Sequence, residues 1–159
     1  MAFDAVAVAR AFSEHRFDDA LDHLAPDVKW TIVGGMVLEG ADAVRRTCAD
    51  TTESLKGARV EFDRCVIAAG RGMDSAAGRG MDSAAGRGMD SAAGRGIDSA
   101  GDGQVVAVDT LVRYVRSDGL TAVASCAIYE FDGEQITTIT SYAVEVDPED
   151  AGAQPPPRG

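Results

Sequence analysis

The sequence predicts a single α+β domain, with helices in its first third and long antiparallel strands in its second half. Three observations carry this. Apolar residues recur at helical spacing over 3–14 and 41–56, whereas over 105–146 they alternate in three long runs separated by turn residues. The chain has 159 residues, of which 45% are hydrophobic, enough for one packed core and too few for two comfortable ones.

The elements follow in order. Ala5, Val8 and Phe12 share one face of a first helix over 3–14, which has no internal Gly or Pro. Residues 17–24 predict a second, short helix stopped by Pro26. Val28 to Ile32 alternate as a strand that Gly34-Gly35 breaks. A third helix over 41–56 carries Val44, Cys48 and Leu55 on one stripe, with Gly57 placed as its C-terminal cap. Val60 to Asp63 alternate again. Strands over 105–115, 120–131 and 135–146 are joined by Ser117-Asp118-Gly119 and Asp132-Gly133, both hairpin turns. Beyond Asp147 the chain is rich in Pro and acid, and residues 147–159 predict a disordered tail.

Residues 68–99 read Ala-Ala-Gly-Arg-Gly-Met-Asp-Ser four times, with Ile97 replacing Met in the last copy. Each copy holds one Arg and one Asp, so the block is neutral. Its single large apolar group per copy cannot offset the entropy of ordering eight residues, which predicts a flexible insertion over 68–101. Without it, Val66-Ile67 would run through Gly101-Asp102-Gly103 into Gln104-Val105-Val106, a hairpin. The insertion therefore extends a hairpin tip, where closure entropy grows slowly with length. Gly-x-Gly-x-Asp is similar to the calcium-binding nonapeptide of β-rolls. Here the period is eight, Ala stands at the large apolar position, and an Arg sits beside each set of ligands, so no calcium site is expected.

The formal net charge of −11 works against binding phosphate backbones or anionic lipid, and no nucleic-acid or membrane partner is expected. Met1-Ala2-Phe3-Asp4 has no basic region ahead of its apolar stretch, unlike a signal peptide. Cys48, Cys65 and Cys126 are odd in number and far apart, which fits small buried hydrophobes in a reducing cytoplasm. Neither a close pair of metal ligands nor a phosphate loop appears, so no metal and no cofactor is expected.

The order of elements resembles that of the nuclear transport factor 2-like superfamily. Local residues agree: Phe17 to Trp30, with its acidic short helix and Ala-Pro-Asp-Val step into a strand; Glu39-Gly40-Ala41 opening the next helix; and Ile128 to Ile136 as the last hairpin. The SnoaL-like branch, named for polyketide cyclases, is the nearest in character. The resemblance covers residues 3–67 and 104–146 of a domain spanning 1–146, and it implies a cone-shaped, curved antiparallel sheet covered on its concave face by three N-terminal helices. Alternation then points Val28, Trp30 and Ile32 inward, together with Val60, Phe62, Val108, Thr110, Val112, Ser125, Ala127 and Tyr129. Of these, Trp30, Ile32, Phe62, Thr110, Ser125 and Tyr129 are the expected contacts of a small, mostly hydrophobic molecule.

Known chemistries of the superfamily lack their residues. The ketosteroid isomerases need a carboxylate base, a Tyr and a protonated Asp; at the matching places this chain has Ile32, Val8 and Ala127. Asp109 and Arg113 share a strand face turned outward, where an ion pair is expected rather than an epoxide-opening set. His15 and His23 are expected to be solvated or helix-capping. A catalytic set is therefore not identifiable, and a non-catalytic binding module is preferred to a cyclase, isomerase or hydrolase. The outer sheet face, with Leu111, Ala124, Cys126, Ile128, Ile136, Tyr142 and Val144, is expected to be covered by a second copy in a homodimer.

Deleting residues 70–101 is expected to leave the melting temperature and the circular dichroism spectrum nearly unchanged; a chain that no longer folds would make the repeat structural.

Overall fold

A computed structural model describes residues 2–72 and 103–149; the repeat beyond Gly72 and the tail beyond Glu149 lie outside the described residues. Helix α1 runs Ala5–Ser13, and Asp4 caps it by accepting the Ala7 N–H at 3.1 Å. Two 3₁₀ turns, Phe17–Asp19 and Leu21–His23, stand in place of the short helix. Strand β1 is longer than expected at Leu24–Ile32 and includes Pro26, because its pairing register breaks between Leu24 and Lys29. A turn through Gly34 and Gly35 leads to β2, Val37–Glu39, and then to α2, Ala41–Ser54. The strands β3 (Arg59–Arg71), β4 (Gln104–Arg116), β5 (Gly119–Asp132) and β6 (Gln135–Val146) complete the chain.

These strands form one curved, unclosed sheet in the order β2-β1-β6-β5-β4-β3. Every pairing is antiparallel except β1–β6, where Trp30 lies beside Ile139 and Ile32 beside Ser141. The expected hairpin of β3 and β4 is present, and it extends into the first repeat copy: Ala68 pairs with Ala107 and Arg71 with Gln104, and Gly72 donates to the Gly103 carbonyl at 2.7 Å.

One face of the sheet carries the core. Val28, Val106, Val108, Tyr129, Phe131 and Ile139 are buried against Val8, Ala9 and Phe12 of α1 and against Val44 and Cys48 of α2. Burial pushes the Cys48 thiol up to about 12, so it stays protonated as a small hydrophobe. A bulge at Thr137 changes one expectation. Glu130 pairs with Thr138 but Phe131 with Ile136, so the extra residue turns Ile136 inward, where it is fully buried rather than on the outer face. On that outer face, Asp109 and Arg113 do not pair with each other. Asp109 meets Arg64 at 3.0 Å, and Arg113 meets Asp63 at 2.6 Å, both across to β3.

Candidate functional site

Between the end of α1, the last turn of α2 and the inner face of the sheet lies a cavity of about 220 Å³. Phe12 and Ser13 of α1, His15 and Phe17 of the following turn, and Thr51 of α2 form its helical side. Its sheet side is Trp30 and Ile32 of β1, Tyr114 of β4, Val123 to Tyr129 on the inner positions of β5, and Ile139 and Ser141 to Ala143 of β6. No Lys, Arg, Asp or Glu side chain is among these groups.

Several polar side chains of the lining are paired with one another before any ligand arrives. The Trp30 indole N–H donates to Ser141 Oγ at 2.8 Å, and the hydroxyls of Ser13 and Tyr129 share a hydrogen bond of 2.7 Å. Ser125 and the buried Thr110 hydroxyl are 2.8 Å apart, and His15 Nε2 lies 2.8 Å from Tyr114 Oη. Such pairing keeps each group satisfied in an apolar setting and fixes where its remaining donors and acceptors point. Burial raises the Tyr129 and Tyr114 phenols above their ordinary range, so both keep their protons.

His15 occupies an unusual backbone position. After Ser13 the helix closes in a Schellman turn: Arg16 N–H bonds the Ala11 carbonyl at 2.9 Å and His15 N–H the Phe12 carbonyl at 3.1 Å. His15 is the left-handed residue of that turn, with φ 61°, the one non-glycine with positive φ among the described residues. A side chain there costs about 1 kcal/mol or more of backbone strain, and strained residues cluster where a side chain is needed in one place. Burial among Phe17, Phe62 and Tyr114 holds the imidazole below its ordinary titration, as a neutral ring. This corrects the expectation of a solvated histidine. His23 lies elsewhere, its Nδ1 within 3.1 Å of the Glu134 carbonyl and its ring against Phe3.

Of the six expected contacts, Trp30, Ile32, Ser125 and Tyr129 line the cavity. Thr110 lies behind it, reaching it only through Ser125. Phe62 lines a neighbouring depression with Val60, which His15 also borders. Val28 and Val108 belong to the core instead, Val112 is buried without lining the cavity, and Ala127 does line it. Sequence reasoning missed His15, Tyr114, Ser13 and Ser141. Tyr114 and Ser141 were within reach, since each continues the inward alternation of its strand. Among the described residues, no cluster of three His, Cys, Asp or Glu could hold a metal ion, and no helix is long and apolar enough to cross a membrane.

A curved sheet with helices on one face and a cavity between them is the nuclear transport factor 2-like fold. The chain belongs to the SnoaL-like domain family, whose sequence profile matches residues 5–98. Its fold is similar to that of an NTF2-like protein of unknown function from Cytophaga hutchinsonii ATCC 33406, with 20% identity and a TM-score of 0.57 over 87% of this chain and 94% of that one. It is also similar to a protein provisionally assigned as a polyketide cyclase from Xanthomonas campestris pv. campestris, with 16% identity and a TM-score of 0.51 over 86% and 84% of the two chains. Bal32a, from a soil-derived mobile gene cassette, matches at 10% identity and a TM-score of 0.50 over 86% and 83%. At these identities the likeness is one of fold. No curated protein matches the chain.

The neutral state of His15 has a pH consequence. Its folded-state titration lies below the ordinary 6.5, so the stability it allows is fully present above that pH. That stability is lost as pH falls from 6.5 through the depressed value, because the unfolded chain takes the proton more readily. Urea unfolding of the wild type and His15→Asn at about pH 7.5 and about pH 5.5 checks this. The stability difference between them should move against the wild type at the lower pH; an unchanged difference would place the ring in water.

Proposed function

We propose that this domain binds a small, uncharged, mostly apolar molecule in the cavity beneath α1. The observation that carries the reading is the lining itself: aromatic and aliphatic walls, hydroxyl and indole groups already oriented, and no ionised side chain. A carboxylate or ammonium ligand would leave water without a counter-charge, which is costly in such a site. A neutral molecule with an oxygen or two would lose little, since Ser141, Ser125 and Ser13 offer hydroxyls along its length.

A second reading, catalysis, is favoured by one observation. His15 borders the cavity as a neutral imidazole held by Tyr114, the state a general base requires. Proton transfer from a bound carbonyl compound is chemistry compatible with this arrangement and with the cyclase assigned to the Xanthomonas relative. Binding without turnover remains the primary reading, because the isomerase positions hold Ile32, Val8 and Ala127.

Trp30 reports on occupancy, as its ring lines the cavity and its N–H is held by Ser141. Its fluorescence should change on titration with small neutral aromatics. Trp30→Ala should weaken their binding and lower stability by about 2–3 kcal/mol, less than for a fully buried tryptophan. Fluorescence indifferent to every neutral probe would remove the cavity as a binding site.

The outer sheet face supports self-association. Leu111, Ala124 and Val144 stand side by side across β4, β5 and β6, next to a row of Cys126 and Tyr142. Tyr142 and Val144 are 48% and 60% exposed, and a second copy related by a two-fold axis would cover them. Ile128→Asp, in the middle of this face, should convert a dimer to a monomer in light scattering. A wild-type monomer at micromolar concentration would refute the assembly.

A further inference from the structure

The turn that ends α1 is closed by backbone hydrogen bonds from His15 and Arg16, and it needs no side chain at position 15. Glycine suits that left-handed position, yet an imidazole is held there. The ring has a definite seat. Nε2 is 2.8 Å from Tyr114 Oη, and the ring centroid is 5.6 Å from that of Phe17 and 6.3 Å from that of Phe62. On one side it borders the 220 Å³ cavity; on the other it borders a depression of about 320 Å³ lined by Val60, Phe62, Leu55 and the charged Glu14 and Lys56. His15 is common to both spaces, and it also borders a third depression with Phe17 and Asp19.

We propose that His15 is a specificity-determining residue: its imidazole, braced by Tyr114, closes the cavity at the α1 end and sets the length of the molecule that fits. The proposal rests on the reading that the cavity binds uncharged molecules. It explains why a strained position carries a ring, since His15 is the residue that lines both spaces. It also assigns a chemical boundary. Molecules short enough to stop at His15 meet hydroxyls and apolar walls, whereas longer ones would have to displace the ring and enter a space rimmed by Glu14 and Lys56.

A homologous series of linear primary alcohols, from butanol to dodecanol, tests this on the full-length chain with Trp30 fluorescence as the readout. In the wild type, affinity should rise about fourfold with each added methylene and then stop rising at a cut-off length. In His15→Gly, which suits the left-handed backbone, the cut-off should move several carbons longer. His15→Asn, whose side chain also tolerates that backbone and is smaller than imidazole, should move it in the same direction and stands in if the glycine variant does not fold. Tyr114→Phe removes only the bracing hydroxyl and should blur the cut-off. An unmoved cut-off in a folded variant, or a wild-type series without one, would overturn the role of His15 while leaving the cavity as a binding site. If no alcohol binds the wild type, the binding reading falls and the partition with it.

Discussion

Phe12 is the contact on which the arrangement of helix and sheet depends. Its ring is buried and meets Phe17, Trp30 and Tyr129 edge-on, with centroids 5.2, 5.3 and 5.7 Å away. Edge-to-face packing is directional, so one side chain fixes the last turn of α1 against β1, against β5 and against the chain that follows it. The cavity lies just beyond this cluster because α1 stops there. Phe12 and His15 are three residues apart on the same turn and form two of its walls, so the position at which the helix ends decides how deep the space is. Asp4 at the other end of the helix therefore contributes to the site without touching it, while the Schellman turn at this end sets His15 in its wall.

On the sheet side, the equivalent control is strand parity. Alternation alone sends Ser125, Ala127 and Tyr129 inward and Ala124, Cys126 and Ile128 outward, and the long β4–β5 hairpin keeps that register from Gln104↔Phe131 to Arg116↔Gly119 without a break. In the two strands that flank this hairpin the register does break, at Thr137 in β6 and at Asp63 in β3. Each moves residues between core and surface. The bulge in β6 buries Ile136 at one end and still brings Ser141 beneath the Trp30 indole at the other. The bulge in β3 leaves Asp63 free to take Arg113 on the outer face.

This division shows how much the sequence could tell. The strands of the second half, both helices and the four cavity contacts Trp30, Ile32, Ser125 and Tyr129 follow from periodicity, because a two-residue repeat holds wherever pairing is regular. What escaped were events that periodicity does not encode. Ile136 was misplaced by one unpaired residue. The parallel pairing of β1 with β6 joins segments more than a hundred residues apart, and nothing local announces it. Phe62 points inward as alternation requires, but it lines the neighbouring depression that His15 also borders, not the cavity. His15 itself was hardest to read, because a left-handed backbone is signalled by glycine or asparagine and here carries neither.

The outer end of β3 bears on how this chain can change over generations. The residues that complete the strand, Ala68 to Arg71, and Gly72 just after them, open the first copy of the octapeptide. Each of the other copies opens with the same five residues, Ala-Ala-Gly-Arg-Gly. Whichever copy follows Ile67 would present the same backbone and the same small side chains to Gln104 through Ala107. Slippage during replication that adds or removes whole octapeptide units preserves the reading frame and hands the sheet an identical edge. A change of this kind would leave the residues paired with Gln104 to Ala107 unaltered.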